Sequence, residues 1–153
     1  MKEQFKERWT CAAGLAFFIL LDGVLTLLGQ PDGYWTNHSS PNERSAVGHF
    51  LLEYSPVAFF AGIVLYAGIL SFFALIIPRI FALVLSISMI VGHSEAAFGW
   101  LTYRFGFSDW THVFYGSGVA FVIIHICVTQ YGIKITKDWL TSPSSETPLS
   151  GRS

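Results

Sequence analysis

Charged residues are scarce in this chain. Lys, Arg, Asp and Glu together make up 12 % of its 153 residues, about half of the charged fraction that is usual in soluble domains. A chain with so little charge is not expected to fold as an ordinary water-soluble domain. The formal net charge is −1 and no basic run of useful length occurs, so nucleic acid is excluded as an expected partner.

Cysteines and catalytic motifs are also scarce. The two cysteines, Cys11 and Cys127, form no CxxC pair and are interpreted as small core residues rather than as a disulfide or a thiolate metal site. The sequence contains no HExxH, GxSxG or other specific catalytic motif, so it leaves open whether the protein is an enzyme. No small-x-small cleavage signal follows the first apolar run, which is therefore predicted to span a membrane rather than to be removed as a signal peptide.

Apolar side chains, by contrast, are abundant and occur in long runs. Hydrophobic residues make up 52 % of the chain, and four runs of about 20 residues have the length that a helix needs to cross the hydrocarbon core. Because lipid offers the backbone no hydrogen-bond partners, such runs are expected to span the membrane as helices. The predicted spans are residues 10–29, 57–77, 80–101 and 112–133.

These spans define the predicted fold, an all-α integral membrane protein with a four-transmembrane-helix bundle. Residues 1–141 are predicted to form a single membrane domain. Residues 142–153, rich in Ser, Pro and Thr, are predicted to be a disordered cytoplasmic tail. Four glycines are expected to mark close packing between helices: Gly62, Gly68, Gly116 and Gly118.

The lysines and arginines predict the orientation of the bundle. With a cytoplasmic N-terminus, the basic residues inside outnumber those outside, as the positive-inside rule requires. Those predicted inside are Lys2, Lys6, Arg8, Arg79, Lys134, Lys137 and Arg152, and those predicted outside are Arg44 and Arg104. Both termini are therefore expected to be cytoplasmic.

The long connection between the first two spans is predicted to contain a helix of its own. Ser40, Pro41 and Glu43 have the spacing of a capping box, with Ser at the N-cap and Pro at the first helical position. A helix that ran from this cap through the whole second span would be too long for one straight crossing. We therefore predict an external or interfacial helix over residues 41–55 that bends at Pro56 into span two.

Ionisable residues within the spans gather toward the outer side of the predicted bundle. At 1.5 Å per residue, Asp22, His93 and Glu95 lie about 10, 12 and 9 Å below the outer ends of their spans. A charged group in lipid costs on the order of 3 kcal/mol even on the lenient insertion scale, so it is expected to have a partner and a function. His49 and His112 are expected near the mouth of the bundle.

Histidine and carboxylate side chains are the ligands that zinc, iron or manganese use. We predict a site for a divalent metal or a polar ligand, centred on Asp22 and His93. Further candidate ligands or lid residues are His49, His112 and Glu95, and the candidate general base for a metal-dependent hydrolysis is Glu53. His49 and Glu53 are spaced i and i+4, so they share one face of the predicted entry helix.

Each of these side chains also has a purely structural interpretation. Asp22 can accept a hydrogen bond from Thr26 or a neighbouring helix, and His93 can be a satisfied interior histidine. Glu95 lies about 200° around the helix from His93, so the two cannot point at the same spot. Glu95 is therefore expected to face a second copy or a partner subunit if His93 faces the interior.

Haem is disfavoured as a cofactor, because two axial histidines would have to lie on different helices at matching depth. His93 is expected about 12 Å deep, His125 about 20 Å deep and His112 nearly at the surface. No pair of these depths matches.

Three functions remain open on the sequence alone. The first is a small membrane protein that binds a metal ion or polar ligand, which includes a membrane-embedded metal-dependent enzyme. The second is a non-catalytic accessory subunit of a larger membrane complex. The third is a proton- or ion-coupled transporter that acts as a homo-oligomer. The lipid bilayer is a partner in all three.

Overall fold

In the computed structural model, the described part of the chain is residues 2–131, which form six helices and no strand. The helices are α1 (Lys2–Leu28), α2 (Tyr34–Asn37), α3 (Ala46–Tyr54), α4 (Pro56–Ile76), α5 (Arg79–Phe105) and α6 (Asp109–Tyr131). Four segments within them are long and apolar enough to cross a membrane: Arg8–Leu28, Pro56–Ile76, Arg79–Phe105 and Thr111–Thr129. The all-helical class and the presence of four candidate membrane-spanning helices are confirmed, while the predicted tail at 142–153 lies outside the described residues.

Helix α1 is the central element of the bundle. It packs most extensively against α5 and α4, while α6 lies against both α5 and α1. The α1–α5–α6 contact buries an apolar cluster that includes Phe18, Ile90 and Ile126. The α1–α4 contact buries a second cluster around Ile19 and Ala67. These side chains make the apolar contacts that hold the three outer helices to α1.

Close packing between helices occurs mainly at glycines other than the four predicted from the sequence. A Cβ on Gly23 would lie 2.7 Å from the Ile63 side chain, so α1 and α4 can approach this closely only because position 23 has no side chain. Of the four predicted glycines, only Gly62 packs against a neighbour, Leu51. A Cβ added to Gly68, Gly116 or Gly118 would meet nothing within 4 Å. These three glycines are therefore not close-packing points, and that part of the prediction is wrong.

Helix α5 is longer than predicted. It continues to Phe105 and ends at Gly106, which has a φ of +66° and donates its backbone N–H to the Thr102 carbonyl. A glycine in this left-handed conformation is a common helix C-cap. The predicted end at residue 101 was wrong because it followed the length of the apolar run, whereas the backbone ends its helix at the capping glycine.

The helix predicted over residues 41–55 is shorter in the structure, where α3 covers Ala46–Tyr54. Ser40 has a φ of +56°, and the helix begins five residues later than predicted, where the Ser45 hydroxyl accepts from Gly48 N–H at 3.2 Å. The reason is a contact that the local motif does not contain. Buried Gln30 accepts from Asn42 N–H at 2.8 Å and donates to the Asn42 carbonyl at 3.4 Å. The Asn42 backbone is thereby held outside a helix.

The predicted bend at Pro56 is present, between α3 and α4. Ser55 is extended, with φ −173° and ψ 154°, and its hydroxyl accepts from Ala58 N–H at 2.9 Å. Proline has no N–H, so it cannot donate to the Leu52 carbonyl one turn earlier. The buried Tyr34 hydroxyl donates to that carbonyl at 2.9 Å instead, and burial raises the pKa of Tyr34. This bond joins α2 to α3, although the position of α3 relative to a bilayer stays a prediction.

Candidate functional site

Asp22 and His93 contact each other across the interface of α1 and α5. The distance from His93 Nδ1 to Asp22 Oδ2 is 2.7 Å, within the range of a strong, charge-assisted hydrogen bond. The two side chains are 16 % and 20 % exposed, respectively. Two polar side chains that lie 71 positions apart in sequence therefore form one partly buried interaction between helices, hereafter the Asp22–His93 pair.

The direction of this hydrogen bond depends on the tautomer of His93. An ionised carboxylate only accepts hydrogen bonds, so with Asp22 ionised the hydrogen of this contact is carried by His93 Nδ1. In that tautomer His93 Nε2 is an acceptor that can bind a proton or a metal. Histidines that ligate metals commonly donate their other ring N–H to a carboxylate in this way, which fixes the tautomer and the orientation of the ring. The Tyr66 ring of α4 packs edge-on to His93, with centroids 6.0 Å apart.

The second carboxylate oxygen of Asp22 has a different environment. Asp22 Oδ1 is buried, and no group in residues 2–131 makes a hydrogen bond to it. Leaving a buried polar group unpaired costs about 1–3 kcal/mol, and more when the group is charged. An ordered water, an ion, a ligand or a role in a reaction can account for such an atom.

Asp22 also lines a cavity of about 510 Å³ between α1, α5 and the segment 42–44. This volume lies in the range of small-molecule sites, about 300–1,000 Å³. The lining combines acidic, basic and aromatic side chains. Those that bear on its chemistry are Asp22, Glu43, Arg44, Glu95, Trp100 and Tyr103.

Glu95 is the second predicted site residue on this cavity. It lies on α5 but faces away from His93, as the helical rotation predicted, and its side chain is exposed. No hydrogen bond or ion pair is found for Glu95 within the described part of the chain. Glu95 and Asp22 thus meet the same cavity from α5 and α1, while His93, the partner of Asp22, is not among the residues that line it.

The remaining predicted residues lie apart from the Asp22–His93 pair. His49 and Glu53 contact each other on α3, with Nε2 and Oε1 3.3 Å apart and both side chains exposed. His112 lies on α6, where its ring packs 4.0 Å from the Phe98 ring. Between residues 2 and 131, no three His, Cys, Asp or Glu side chains converge closely enough to hold a metal ion.

Four cavity residues were missed by the sequence analysis as site residues: Glu43, Arg44, Trp100 and Tyr103. Glu43 was assigned to a helix cap and Arg44 to the orientation count. The aromatic residues are typical of membrane–water interfaces, which gave them an adequate explanation without a site. The available signal was that the polar connection at 42–44 returns to the end of the bundle where Asp22 and Glu95 were expected.

Comparisons of the chain with protein-family models, with curated proteins and with solved structures find no significant match. The case for a function therefore comes from the geometry of the cavity and of the Asp22–His93 pair.

Proposed function

We propose that this chain is an integral membrane protein that binds a small polar ligand or a metal ion beside the Asp22–His93 pair. One observation carries the proposal. Asp22 lines a cavity of ligand size, and its carboxylate has one oxygen paired with His93 and the other buried without a hydrogen-bond partner in the described part of the chain. Four apolar helices support the membrane location, where an unpaired carboxylate is most costly.

The positive-inside rule supports an outward-facing cavity. Arg44 and Arg104 belong to the end of the bundle that carries the cavity, whereas Arg8 and Arg79 belong to the opposite end. We therefore propose that the N-terminus is cytoplasmic and that ligands reach the cavity from the outer side or from the outer leaflet.

A metal ion at this site would depend on few protein donors. Asp22 Oδ1 and His93 Nε2 are the two atoms of the Asp22–His93 pair that are left to bind. Catalytic zinc sites commonly use three protein ligands and one open position. A metal here would need further oxygen or nitrogen donors from the ligand itself, so a polar organic ligand fits the described lining better than a tightly held structural metal.

The enzymatic version of the proposal has less support. It requires Glu53 to act as a general base on a water or substrate held by the Asp22–His93 pair. Glu53 lies on α3 and pairs with His49, and α3 packs against α4. No contact links it to Asp22 or His93 among residues 2–131. Ligand binding therefore stands as the proposed function without a catalytic step.

The test combines elemental analysis with analysis of bound small molecules. The wild-type protein is purified in mild detergent beside Asp22→Ala, His93→Ala and a control variant, His125→Ala. His125 is an exposed histidine of α6. We expect a metal or an extractable polar molecule in near-stoichiometric amount, lost in the two site variants and kept in the control. A protein that carries neither, and whose thermal stability responds to no metal or polar compound, would refute the proposal.

A second candidate is an accessory subunit of a larger membrane complex, and the exposure of Glu95 favours it. A carboxylate on the exposed face of a membrane span is costly unless a cation meets it, and a basic side chain of a partner helix would supply one. Glu95 differs in this respect from Asp22, which already has a partner, His93, between the helices. In this case Glu95→Gln is expected to release a co-purifying protein, whereas Asp22→Asn is not.

The accessory-subunit hypothesis has a clear contrary result. If the wild-type protein is monodisperse and stable alone, and if Glu95→Gln changes neither its partners nor its stability, Glu95 does not hold a subunit.

A further inference from the structure

We infer that the ligand of this cavity carries an ammonium group. This inference depends on the proposed function and deepens it, because it names the chemical class that the lining selects. It rests on the charge of the lining, the arrangement of its aromatic rings and the hydrogen-bonding requirement of Asp22.

The first step concerns charge. Three carboxylates line the cavity, from Asp22, Glu43 and Glu95, and one cation, Arg44. The side-chain partner of Asp22 is His93, so no lysine or arginine of the described residues pairs with this carboxylate. A cavity with this excess of carboxylates, between helices that lipid surrounds, repels anions and stabilises a cation.

The second step concerns the aromatic rings. Trp100 and Tyr103 both line the cavity, and their ring centroids lie 6.2 Å apart with an interplanar angle of 75°. The rings are arranged edge-to-face, and both belong to the cavity lining. Aromatic rings attract organic cations, with Trp the best of the side chains, and they recur in sites for substituted ammonium groups. A hydrated metal ion gains less from an aromatic lining.

The third step concerns hydrogen bonding. Asp22 lines the cavity, one of its oxygens has no hydrogen-bond partner in the described part of the chain, and an ionised carboxylate can only accept. A ligand that brings a donor to this carboxylate from the cavity would satisfy it. A primary ammonium brings three N–H donors and a positive charge, whereas a carboxylate or phosphate ligand brings neither.

The volume agrees with an organic cation rather than with a bare ion. At about 510 Å³ the cavity accommodates a small amine or the head group of an amine-bearing lipid. Both sources present the same ammonium chemistry. They differ in the group attached beyond the ammonium, because a lipid head group adds a phosphate, for which Arg44 is the one cationic side chain on the described lining.

The experiment measures binding of ethanolamine to the detergent-purified protein by calorimetry, with ethylene glycol as a neutral probe of similar size and acetate as an anionic probe. Asp22→Asn and Glu95→Gln remove single charges from the lining at nearly constant volume. Asp32→Asn is the matched acid-to-amide control, because Asp32 pairs with Arg104 and does not line the cavity. Proteoliposomes of phosphatidylcholine with and without phosphatidylethanolamine test the lipid source by thermal stability.

We expect ethanolamine to bind and the two neutral or anionic probes not to bind. Asp22→Asn should weaken ethanolamine binding roughly ten- to hundredfold, the range for loss of a charge-assisted hydrogen bond, and Asp32→Asn should leave it unchanged. Arg44→Gln should weaken the effect of phosphatidylethanolamine if a lipid is the ligand and should spare ethanolamine if a soluble amine is. Equal binding of ethylene glycol, or an Asp22→Asn variant that binds ethanolamine like the wild type, would overturn the inference.

The outcomes also separate this inference from the proposed function. If a divalent metal or an anion binds and Asp22→Asn abolishes that binding, while ethanolamine does not bind, the site stands and the ammonium inference fails. If none of the amines, metals or anions binds, both fail together.

Discussion

Removal of either member of the Asp22–His93 pair should destabilise the bundle by more than an ordinary hydrogen bond between helices. Such bonds in membrane proteins average about 0.6 kcal/mol in double-mutant cycles. A hydrogen bond that involves a charged group contributes about 1.5–3 kcal/mol. At 2.7 Å, with both side chains at or below one-fifth exposure, the Asp22–His93 pair belongs to the second class, and we expect a coupling energy of about 2 kcal/mol.

The two single substitutions should differ in cost. His93→Ala leaves a buried carboxylate with no partner on either oxygen, and breaking a buried charged pair this way costs about 3–5 kcal/mol when the burial is complete. The residual exposure of Asp22 places the expected loss near the lower bound, about 3 kcal/mol. Asp22→Ala leaves only an imidazole N–H unpaired and should cost about 2 kcal/mol. Asp22→Asn keeps an acceptor and should cost about 1 kcal/mol.

The assay is reversible unfolding of the detergent-solubilised protein by a denaturing detergent, followed by circular dichroism for both single variants and the double variant. The double variant removes both polar groups together, so its loss should be about 2 kcal/mol smaller than the sum of the single losses. Effects that add to within about 0.5 kcal/mol, the usual range for independent sites, would refute the claim that the two side chains stabilise the interface as a charged pair. A measured coupling near 0.6 kcal/mol would show a neutral hydrogen bond of the common kind.

Three further predictions concern the elements that hold the cavity in place. Tyr34→Phe should destabilise the protein by about 1–2 kcal/mol in the same unfolding assay, because the Leu52 carbonyl loses its donor, while Trp35→Phe, at an exposed neighbour, should not; equal losses would contradict this. Ser45→Ala should lower the free energy of unfolding by about 1 kcal/mol, because α3 loses its N-cap, whereas Ser40→Ala should have no measurable effect. The reverse order would support the capping box at Ser40 that the sequence predicted. Gly29→Ala should displace the Trp100 ring, which a Cβ at this position would overlap. The Trp fluorescence should change, and the free energy of unfolding should fall by about 1–3 kcal/mol. The control is Gly68→Ala, where an added Cβ meets nothing within 4 Å, and an unchanged Gly29→Ala variant would contradict the contact.

The four long apolar helices could be predicted because their cause is local. An apolar run of sufficient length can satisfy its backbone in lipid only as a helix, and this argument needs no knowledge of neighbours. Helix ends were less accessible. The end of α5 depends on Gly106 rather than on hydropathy, and the start of α3 depends on Gln30, whose side chain fixes the Asn42 backbone from twelve positions away in sequence.

The depths of the site residues in the bundle could be predicted, but the helices that they pack against and the enclosure of the cavity could not. Counting 1.5 Å per residue placed Asp22 and His93 at nearly the same level, and the structure has them in contact. The same count placed His49 and His112 near the mouth of the bundle, but it carried no information on which helix each would pack against. α3 packs on α4, and the His112 ring packs on Phe98, so neither joins Asp22.

Glu95 shows why rotation matters as much as depth for the choice between functions. It lies two residues after His93, at nearly the same level, yet on the side of α5 that borders the cavity and the exterior of the bundle. If the cavity binds a cation, Asp22 and Glu95 neutralise it from two helices, and the cost of an exposed carboxylate in lipid disappears when the ligand is bound. If the cavity binds nothing, a basic side chain from another protein would neutralise Glu95 instead. The ligand hypothesis and the subunit hypothesis are therefore two ways to neutralise the same carboxylate, and the partner of Glu95 decides between them.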